Sequence, residues 1–290
     1  MPLSPNAQGA LWMSVSMMGF VFNDAFMKSV SDDLPVMQAI FLRGLTAAVL
    51  VTALAWWRGA LAYRPDRADW GRIGWRMVAE VGATCLFMSA LFNMAFANAV
   101  AIIMVSPLAV TLAAAWALGE PVGWRRYTAI AVGFAGVLLI VGPGTQGFNV
   151  YALAALGAVG FSVLRDLSAR TLNPAVPSLL PTVASIFSVT TVTGVVTAFS
   201  TWAPVDTRTL LALCGAGCLL PLGFYAGIRA MRVGEVGVVS PFRYTNLLWA
   251  LALGFVVFGE IPSALALIGS AIIMATGLYS LHRERVRARG

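Results

Sequence analysis

Ten long apolar stretches alternate with short polar segments along almost the whole chain. A helix needs roughly 17–25 apolar residues to cross a bilayer, and each stretch is close to that length. The pattern therefore predicts an all-α membrane protein with ten transmembrane helices and short connections. The predicted helices cover residues 9–30, 35–57, 75–95, 98–118, 126–143, 149–170, 178–200, 208–229, 236–258 and 262–282.

The ten predicted helices form two sets of five, residues 1–145 and 146–290, on either side of a joint at Gly142-Pro143-Gly144. Five crossings leave the two ends of a set on opposite sides of the membrane. If the second set repeats the first, it must cross in the opposite sense. The sequence thus predicts two inverted five-helix repeats, an architecture from which many secondary transporters are built.

The composition supports a membrane location, because 59% of the residues are hydrophobic and only 11% are charged. Soluble domains carry about 25% charged residues. The lipid bilayer is therefore an expected partner. All three cysteines lie in predicted helices without a histidine or acid beside them, so we expect packing residues. The sequence predicts neither a metal site nor a cofactor.

The basic residues indicate how the chain crosses the membrane. Of the 19 Lys and Arg residues, all except Lys28, Arg43, Arg208 and Arg243 fall on the even-numbered connections or the C-terminal tail. Basic loops stay in the cytoplasm. Both termini are therefore predicted to be cytoplasmic, in a bacterial-type inner membrane, and the net charge of +7 does not indicate nucleic-acid binding.

Several marks recur in the same order in the two sets. Asp24 and Lys28 in the first helix match Asp166 and Arg170 in the sixth, and residues four apart share one helix face. Each pair follows a Gly-Phe dipeptide. The fourth and ninth helices share a Ser-Pro and a terminal Gly-Glu, namely Ser106-Pro107, Ser240-Pro241, Gly119-Glu120 and Gly259-Glu260. Inversion predicts that Glu120 faces the cytoplasm and Glu260 the outside.

With these marks the chain resembles the drug/metabolite transporter superfamily, in its ten-helix EamA-type branch. Gly133-Phe-Ala-Gly136 in helix five and Pro241-Phe-Arg-Tyr244 in helix nine add to the resemblance. It implies a secondary transporter of small metabolites, often an exporter of amino acids, with a central cavity between the halves. Helix seven departs from symmetry because it has no counterpart to the arginine of helix two.

Two charged residues are predicted to lie at similar depth in adjacent helices. Asp24 is six residues before the end of helix one, and Arg43 is about eight residues into helix two. An unpaired charge near the bilayer centre costs on the order of 2.5–3.5 kcal/mol, so we expect an Asp24–Arg43 ion pair. The pair, with Lys28, either locks the two helices together or takes part in gating or substrate binding.

Prolines predict breaks in two helices, at Pro107 and Pro241. Proline removes a helical hydrogen bond, and a freed backbone group inside a membrane must face protein or a watery cavity. Beside Pro241, Arg243 and Tyr244 could bind a carboxylate. Alternatively, Arg243 extends to the cytoplasmic headgroups.

Apolar walls with a few placed polar groups suit a small amphipathic ligand. Aromatic residues in membrane helices also face lipid or pack against neighbours, which is the alternative for each of them. The predicted substrate-binding set is Phe20, Asn23, Asp24, Arg43, Met88, Phe92, Phe161, Tyr225, Arg243, Tyr244 and Trp249.

The sequence thus predicts a monomeric carrier for a small-molecule substrate, most simply an exporter of amino acids, aromatic ones included, working by alternating access. The alternatives are an importer of a larger metabolite such as S-adenosylmethionine, or a passive channel. An enzyme is disfavoured, because the one histidine, His282, follows the last helix and no phosphate-loop or catalytic motif is present.

Overall fold

The computed structural model describes residues 4–117, 119, 123–142 and 149–289, without the side chains of residues 170, 236, 237 and 283–289. Three predictions lie outside these residues: the environment of Glu120, the conformation of the joint after Gly142, and the contacts of the Arg170 side chain.

The described part of the chain folds into α-helices and two short 3-10 helices, without a strand. The 3-10 helices are Ala60–Ala62 and Ser240–Tyr244. The α-helices are α1 (Pro5–Lys28), α2 (Val36–Trp57), α3 (Arg67–Asn93), α4 (Phe96–Ile103), α5 (Ser106–Ala117), α6 (Trp124–Val141), α7 (Tyr151–Arg170), α8 (Leu179–Ala198), α9 (Thr207–Val233), α10 (Val236–Val239), α11 (Thr245–Phe258) and α12 (Ala264–Arg289).

Ten helical segments are long and apolar enough to cross a membrane, as the sequence predicts. The fourth span combines α4 and α5 (Phe96–Ala117), and the ninth combines a 3-10 turn with α11 (Ser240–Phe258). The prediction of an all-helical membrane protein with ten spans is therefore confirmed.

The third and eighth spans are longer than predicted, and an aspartate caps the N-terminus of each. The third begins earlier, at Arg67, whereas the eighth is extended mainly at its C-terminal end, to Val233. Asp66 accepts a hydrogen bond from the Asp69 N–H (2.7 Å), and Asp206 accepts one from the Thr209 N–H (2.8 Å). An N-cap of this kind satisfies a helix-terminal N–H group. Hydrogen bonding from Thr209 also lowers the pKa of the Asp206 carboxyl. The added turns carry onto helices several arginines that the sequence assigned to loops.

A glycine in the left-handed conformation follows the fourth span, and another follows the ninth span. Gly119 has φ 66° and Gly259 has φ 63°. Residues with a Cβ rarely adopt this conformation, whereas glycine commonly ends helices in it. The two Gly-Glu marks of the sequence therefore begin with the same backbone device.

Each of the first five spans packs against one or more of the last five, and the fourth span contacts both α7 and α11. Helix α1 packs along α9, α3 along α7, α2 along α8, α6 along α12, and α4 against α11. Written by span number, these pairs are 1–8, 3–6, 2–7, 5–10 and 4–9. If each span is replaced by the span at the same place in the other set of five, the same pairs result. Small residues bring some of these helices close: a Cβ on Gly136 would lie 2.9 Å from the Gly269 carbonyl oxygen.

One end of the bundle, which we call the Lys28 end, gathers the odd-numbered connections. The Gln38 side-chain amide exchanges two hydrogen bonds with the Ala203 backbone, at 2.8 and 2.9 Å. The Asn149 side chain donates to the Asn93 carbonyl (2.7 Å). These contacts join segments that follow α1, α3, α6 and α8, so the Lys28 end is held by polar contacts between distant parts of the chain.

The opposite end, which we call the Asn173 end, gathers the even-numbered connections. The Asn173 N–H donates to the Asp69 carboxylate (3.2 Å), which also binds Arg72 (2.8 Å). The Glu235 N–H donates to the Asn6 side chain (2.9 Å). Successive connections thus lie at opposite ends of the bundle. This alternation is required if each of the ten helices crosses the same membrane.

Candidate functional site

A cavity of about 790 Å³ lies between the two sets of spans, and helices of both sets form its walls. Asn173 and Pro174 line it and are exposed, so the cavity reaches the surface at the Asn173 end. The described residues of the connections at the Lys28 end do not line it. Its volume falls within the usual range for ligand sites, about 300–1,000 Å³.

The deepest polar groups of the cavity come from α1 and α2. Asn23, Asp24 and Arg43 all line it and are buried. Asn23 donates its side-chain N–H to Asp24 Oδ1 (2.9 Å). Asp24 and Arg43 feel each other's charge, but among the described side chains no ion pair joins them directly. The predicted direct ion pair is therefore wrong in this structure.

A second charged group lines the cavity nearer the Asn173 end, and we call Arg76, Glu80, Arg165 and Asp166 the Arg165 cluster. Arg165 Nε donates to Asp166 (2.9 Å), and Arg165 Nη1 lies 3.6 Å from Glu80. Arg76 is close enough to feel the charges of the other three. Asp166 therefore pairs with its neighbour Arg165 on α7, and Arg165 in turn joins α7 to Glu80 of α3.

The predicted helix breaks both coincide with changes in the helical geometry. Helix α4 ends at Ile103 and α5 begins at Ser106, whose hydroxyl donates to the Ile103 carbonyl (2.6 Å). In the ninth span, Ser240–Tyr244 forms a 3-10 turn. Pro107 lines the cavity, whereas Pro241 lies outside its lining. The break of the ninth span instead brings Arg243, Tyr244 and Asn246 to the cavity.

Aromatic and thioether side chains form the apolar part of the wall. Phe20 lies edge-to-face on Phe224, with ring centroids 5.2 Å apart. Phe87 and Met88 line the cavity from α3. The result is a cavity with flat apolar surfaces and polar groups at restricted positions.

The charges of the wall are unequal, with more arginines than carboxylates. The lining residues that carry charge are Arg43, Arg76, Arg165, Arg232 and Arg243 against Asp24, Glu80 and Asp166. Within the described residues, no group of three or more His, Cys, Asp or Glu side chains could hold a metal ion. The cavity thus favours neutral or anionic organic molecules over cations.

The profile of the EamA-like transporter family matches residues 7–142. A second similarity covers almost the whole chain. The chain is 26% identical to a riboflavin transporter of Vibrio cholerae, over 97% of this chain and 95% of the relative. Residues 7–142 of the chain belong to the EamA-like transporter family. The chain is a small-metabolite transporter and a multi-pass protein of the bacterial inner membrane.

Other relatives of this EamA-like transporter carry different names. An S-adenosylmethionine uptake transporter of Rickettsia prowazekii is 22% identical, over 96% of this chain and 93% of the relative. A pseudopaline exporter of Pseudomonas aeruginosa is 26% identical, over 92% and 93%. These relatives are transporters rather than enzymes, and their names do not include amino-acid exporters.

A solved crystal structure shares the fold of this EamA-like transporter. It superposes with a TM-score of 0.65 at 19% sequence identity, covering 97% of this chain and 99% of the other. At this identity the likeness extends to the fold alone.

Several residues of the predicted binding set do line the cavity of this EamA-like transporter. They are Phe20, Asn23, Asp24, Arg43, Met88, Arg243 and Tyr244. Arg243 is exposed within the lining, and Tyr244 is buried, with its ring against Gly277 of α12. The sequence alone placed these residues on the right helices and, for these positions, on the cavity side.

Three predicted aromatic residues belong to the packing and not to the cavity lining. Trp249 is 38% exposed on the outer face of α11. Phe161 fills the space beside Gly82 where α7 packs on α3. Phe92 packs against the buried core. These three residues do not line the cavity, because the side of the bundle that a helical residue faces depends on the partner helix, which the sequence does not reveal. Their role in substrate binding stays a prediction.

Tyr225 was also predicted to bind substrate, and it too lies outside the cavity lining. Its hydroxyl accepts a hydrogen bond from Arg58 (3.0 Å), and its ring lies edge-to-face on Trp12. Tyr225 therefore joins α9 to the end of α2 and to α1 at the Asn173 end.

The sequence-based prediction missed the Arg165 cluster. Arg76 and Arg165 lie inside the predicted helices 75–95 and 149–170, but they were counted with the even-numbered connections because they are near the ends of those helices. The available signal was the spacing of Arg76 and Glu80 on α3, four residues apart and so on one face. Two charges on one face of a membrane helix indicate a partner or a cavity.

Lys28, which was predicted to join the Asp24–Arg43 pair in locking α1 to α2, lies outside the cavity lining and binds the connection between α3 and α4. Its Nζ donates to the carbonyl oxygens of Phe92 (3.3 Å) and Met94 (2.9 Å). Glu260 completes this contact by accepting a hydrogen bond from the Phe96 N–H (2.6 Å). Burial raises the pKa of Glu260, while the Phe96 N–H and the nearby Lys28 charge oppose that rise.

Glu260 thus caps α4 and ties it to α1 and the start of α12. An N-cap contributes about 0.5–2 kcal/mol, and a carboxylate at a helix N-terminus adds a favourable charge–dipole interaction. We predict that Glu260→Ala lowers the unfolding midpoint of the detergent-purified protein by a few degrees, measured by thermal unfolding. Asp33→Ala, an exposed acid at the same end, is the matched control and should leave the midpoint unchanged. Equal midpoints for Glu260→Ala and the unmodified protein would contradict the capping role.

Proposed function

We propose that this transporter carries a heteroaromatic metabolite of about the size of riboflavin. The observation that supports this most is the cavity itself. Its volume of about 790 Å³ is several times that of an amino acid, and Phe20 and Phe224 offer flat apolar surfaces beside buried polar groups. The Vibrio cholerae relative, matched over nearly its whole length, is named a riboflavin transporter.

The charge of the wall favours riboflavin over S-adenosylmethionine. Riboflavin is neutral, whereas S-adenosylmethionine carries a sulfonium cation in addition to its amino-acid group. Five arginines against three carboxylates in the lining repel an added cation. S-adenosylmethionine nevertheless stays the second candidate, because Arg43 and Asp24 together could bind its carboxylate and ammonium groups.

Amino-acid export, the simplest prediction from the sequence, receives less support. An amino acid would occupy a minor part of the cavity and leave most of its polar wall without a partner. The names of the relatives include both uptake and export, so the proposal covers the substrate and leaves the direction to the prevailing gradient.

The mechanism that we propose is alternating access between two inverted repeats, in a monomer. The inverted repeat is supported by the symmetry of the packing pairs, which stay the same when the two sets of five spans are exchanged. The basic residues support a cytoplasmic location for the Asn173 end, to which the cavity opens. Opening to the other side would then require breaking the contacts of Lys28, Glu260 and Gln38 at the Lys28 end.

Uptake by proteoliposomes tests the proposed substrate. We expect saturable riboflavin uptake, and accelerated exchange when the lumen is preloaded with riboflavin, because a carrier returns faster when loaded. S-adenosylmethionine, phenylalanine and tryptophan should be transported at least about tenfold more slowly at equal concentration. Protein-free liposomes are the control. Saturable uptake of an amino acid without riboflavin uptake would contradict the proposal, and unsaturable flux would indicate a channel.

A further inference from the structure

Five residues of the cavity lining carry a buried polar atom without a hydrogen-bond partner in the structure, namely Asn23 Oδ1, Arg43 Nε, Arg76 Nε, Tyr244 Oη and Asn246 Oδ1. Three of these atoms belong to buried amide or guanidinium groups: Asn23, Arg43 and Asn246 are 2%, 5% and 6% exposed. Proteins pair nearly all buried polar groups. All three residues line the same cavity, so these atoms point to a ligand that supplies both hydrogen-bond acceptors and a donor.

The chemistry of these groups restricts what that ligand offers. An asparagine amide places N–H donors beside a carbonyl acceptor, and an arginine adds further donors. Asn246 and Arg43 line one cavity, and between them they offer a donor, an acceptor and a further donor. The complementary edge is an N–H group between two carbonyl groups, which is the edge of an imide such as a pyrimidinedione ring.

A simple carboxylate is a poorer match at this position. It would satisfy Arg43, but it would face Asn23 Oδ1, Asn246 Oδ1 and the Asp24 carboxylate, all of which are acceptors. Acceptors that lie opposite one another leave buried groups unpaired. The ligand must therefore bring an N–H donor to the same place, which an imide edge does within one rigid ring.

We propose that Arg43 of the second span and Asn246 of the ninth span bind the imide edge of the substrate's ring. This inference rests on the proposed function and narrows it to a class, heteroaromatic rings with an unsubstituted imide. Asn23, held by its hydrogen bond to Asp24, is a further acceptor beside Arg43. The ring itself lies against the apolar wall of Phe20 and Phe224, and the two binding groups come from different halves of the chain.

Two flavin analogues separate this edge from the rest of the molecule. In 3-methylriboflavin a methyl group replaces the imide hydrogen, whereas lumichrome keeps the ring and the imide but lacks the ribityl chain. Competition against riboflavin uptake gives a half-inhibiting concentration for each. We expect 3-methylriboflavin to be at least about tenfold weaker than unlabelled riboflavin, and lumichrome to remain within a few-fold of it.

Variants locate the effect at the proposed residues. In Asn246→Ala the half-inhibiting concentrations of 3-methylriboflavin and riboflavin should become nearly equal, so that their ratio falls to near one. The reason is that this variant lacks the acceptor for the imide N–H. Trp249→Ala, one turn away on α11 and outside the cavity lining, is the matched control and should keep the ratio of the unmodified protein. A general loss of folding would lower uptake of all flavins together without changing this ratio.

The outcomes of the two proposals are distinguishable. Equal competition by riboflavin and 3-methylriboflavin in the unmodified protein overturns the imide assignment and leaves riboflavin transport standing. An Asn246→Ala variant that keeps the full ratio overturns the role of Asn246. Absence of saturable riboflavin transport and of riboflavin binding, measured by quenching of its fluorescence, overturns both proposals.

Discussion

Replacing Arg43 by glutamine is expected to lower substrate uptake by about ten- to a hundredfold. Arg43 is 5% exposed, and its Nε has no protein partner although it lines the cavity. Hydrogen bonds to charged groups contribute about 1.5–3 kcal/mol, and each 1.4 kcal/mol is a factor of ten in affinity. Initial rates in proteoliposomes, normalised to the amount of folded protein, measure the loss.

The double variant Asp24→Asn with Arg43→Gln tests why Arg43 matters. In the structure no direct ion pair joins the two side chains, so neutralising Asp24 should not restore the uptake that Arg43→Gln removes. The double variant is expected to be as inactive as the single one. Recovery of most of the uptake in the double variant would show that Arg43 serves only to neutralise Asp24, and would contradict a role in binding substrate.

Replacing Gly277 by alanine is expected to destabilise the protein and reshape the cavity. A Cβ at this position would meet the hydroxyl and ring of Tyr244, which is 2% exposed, so the rigid ring would have to shift. Overpacking of a buried site costs about 1–3 kcal/mol, and a chain of 150–250 residues loses about 2–4 °C of unfolding midpoint per kcal/mol. We therefore expect a midpoint several degrees lower, together with weaker uptake.

Gly160→Ala is the matched control for Gly277→Ala. Gly160 also lies within a long helix, α7, but a Cβ there would meet nothing within 4 Å. Its replacement should leave the midpoint unchanged or raise it slightly, because alanine is the better helix former. Adding Tyr244→Phe to Gly277→Ala removes the nearest atom and should recover part of the lost stability. Equal midpoints for the two glycine variants would show that Tyr244 does not occupy the space beside Gly277.

The helix breaks show what a local sequence pattern can predict and what it cannot. Proline chemistry predicted irregular backbone near Pro107 and Pro241, and the structure has an interruption before Ser106 and a 3-10 turn at Ser240–Tyr244. The pattern did not reveal that the second break turns Asn246 as well as Arg243 toward the cavity. That orientation depends on α1 and α12, which pack against the turn and are far away in the sequence.

The sequence by itself determined the ten membrane-spanning helices, because the length and apolarity of a segment decide whether it can cross a bilayer and its backbone can then bond only within itself. It also indicated the family, through marks on the fourth and ninth spans. Only the tertiary structure decided which side chains share the cavity. Asp24 and Arg43 face it without pairing, Arg165 joins Glu80 from another half, and Trp249 turns outward. The physical reason is that one helix face is selected by packing against partners distant in the chain, and no local pattern encodes that contact.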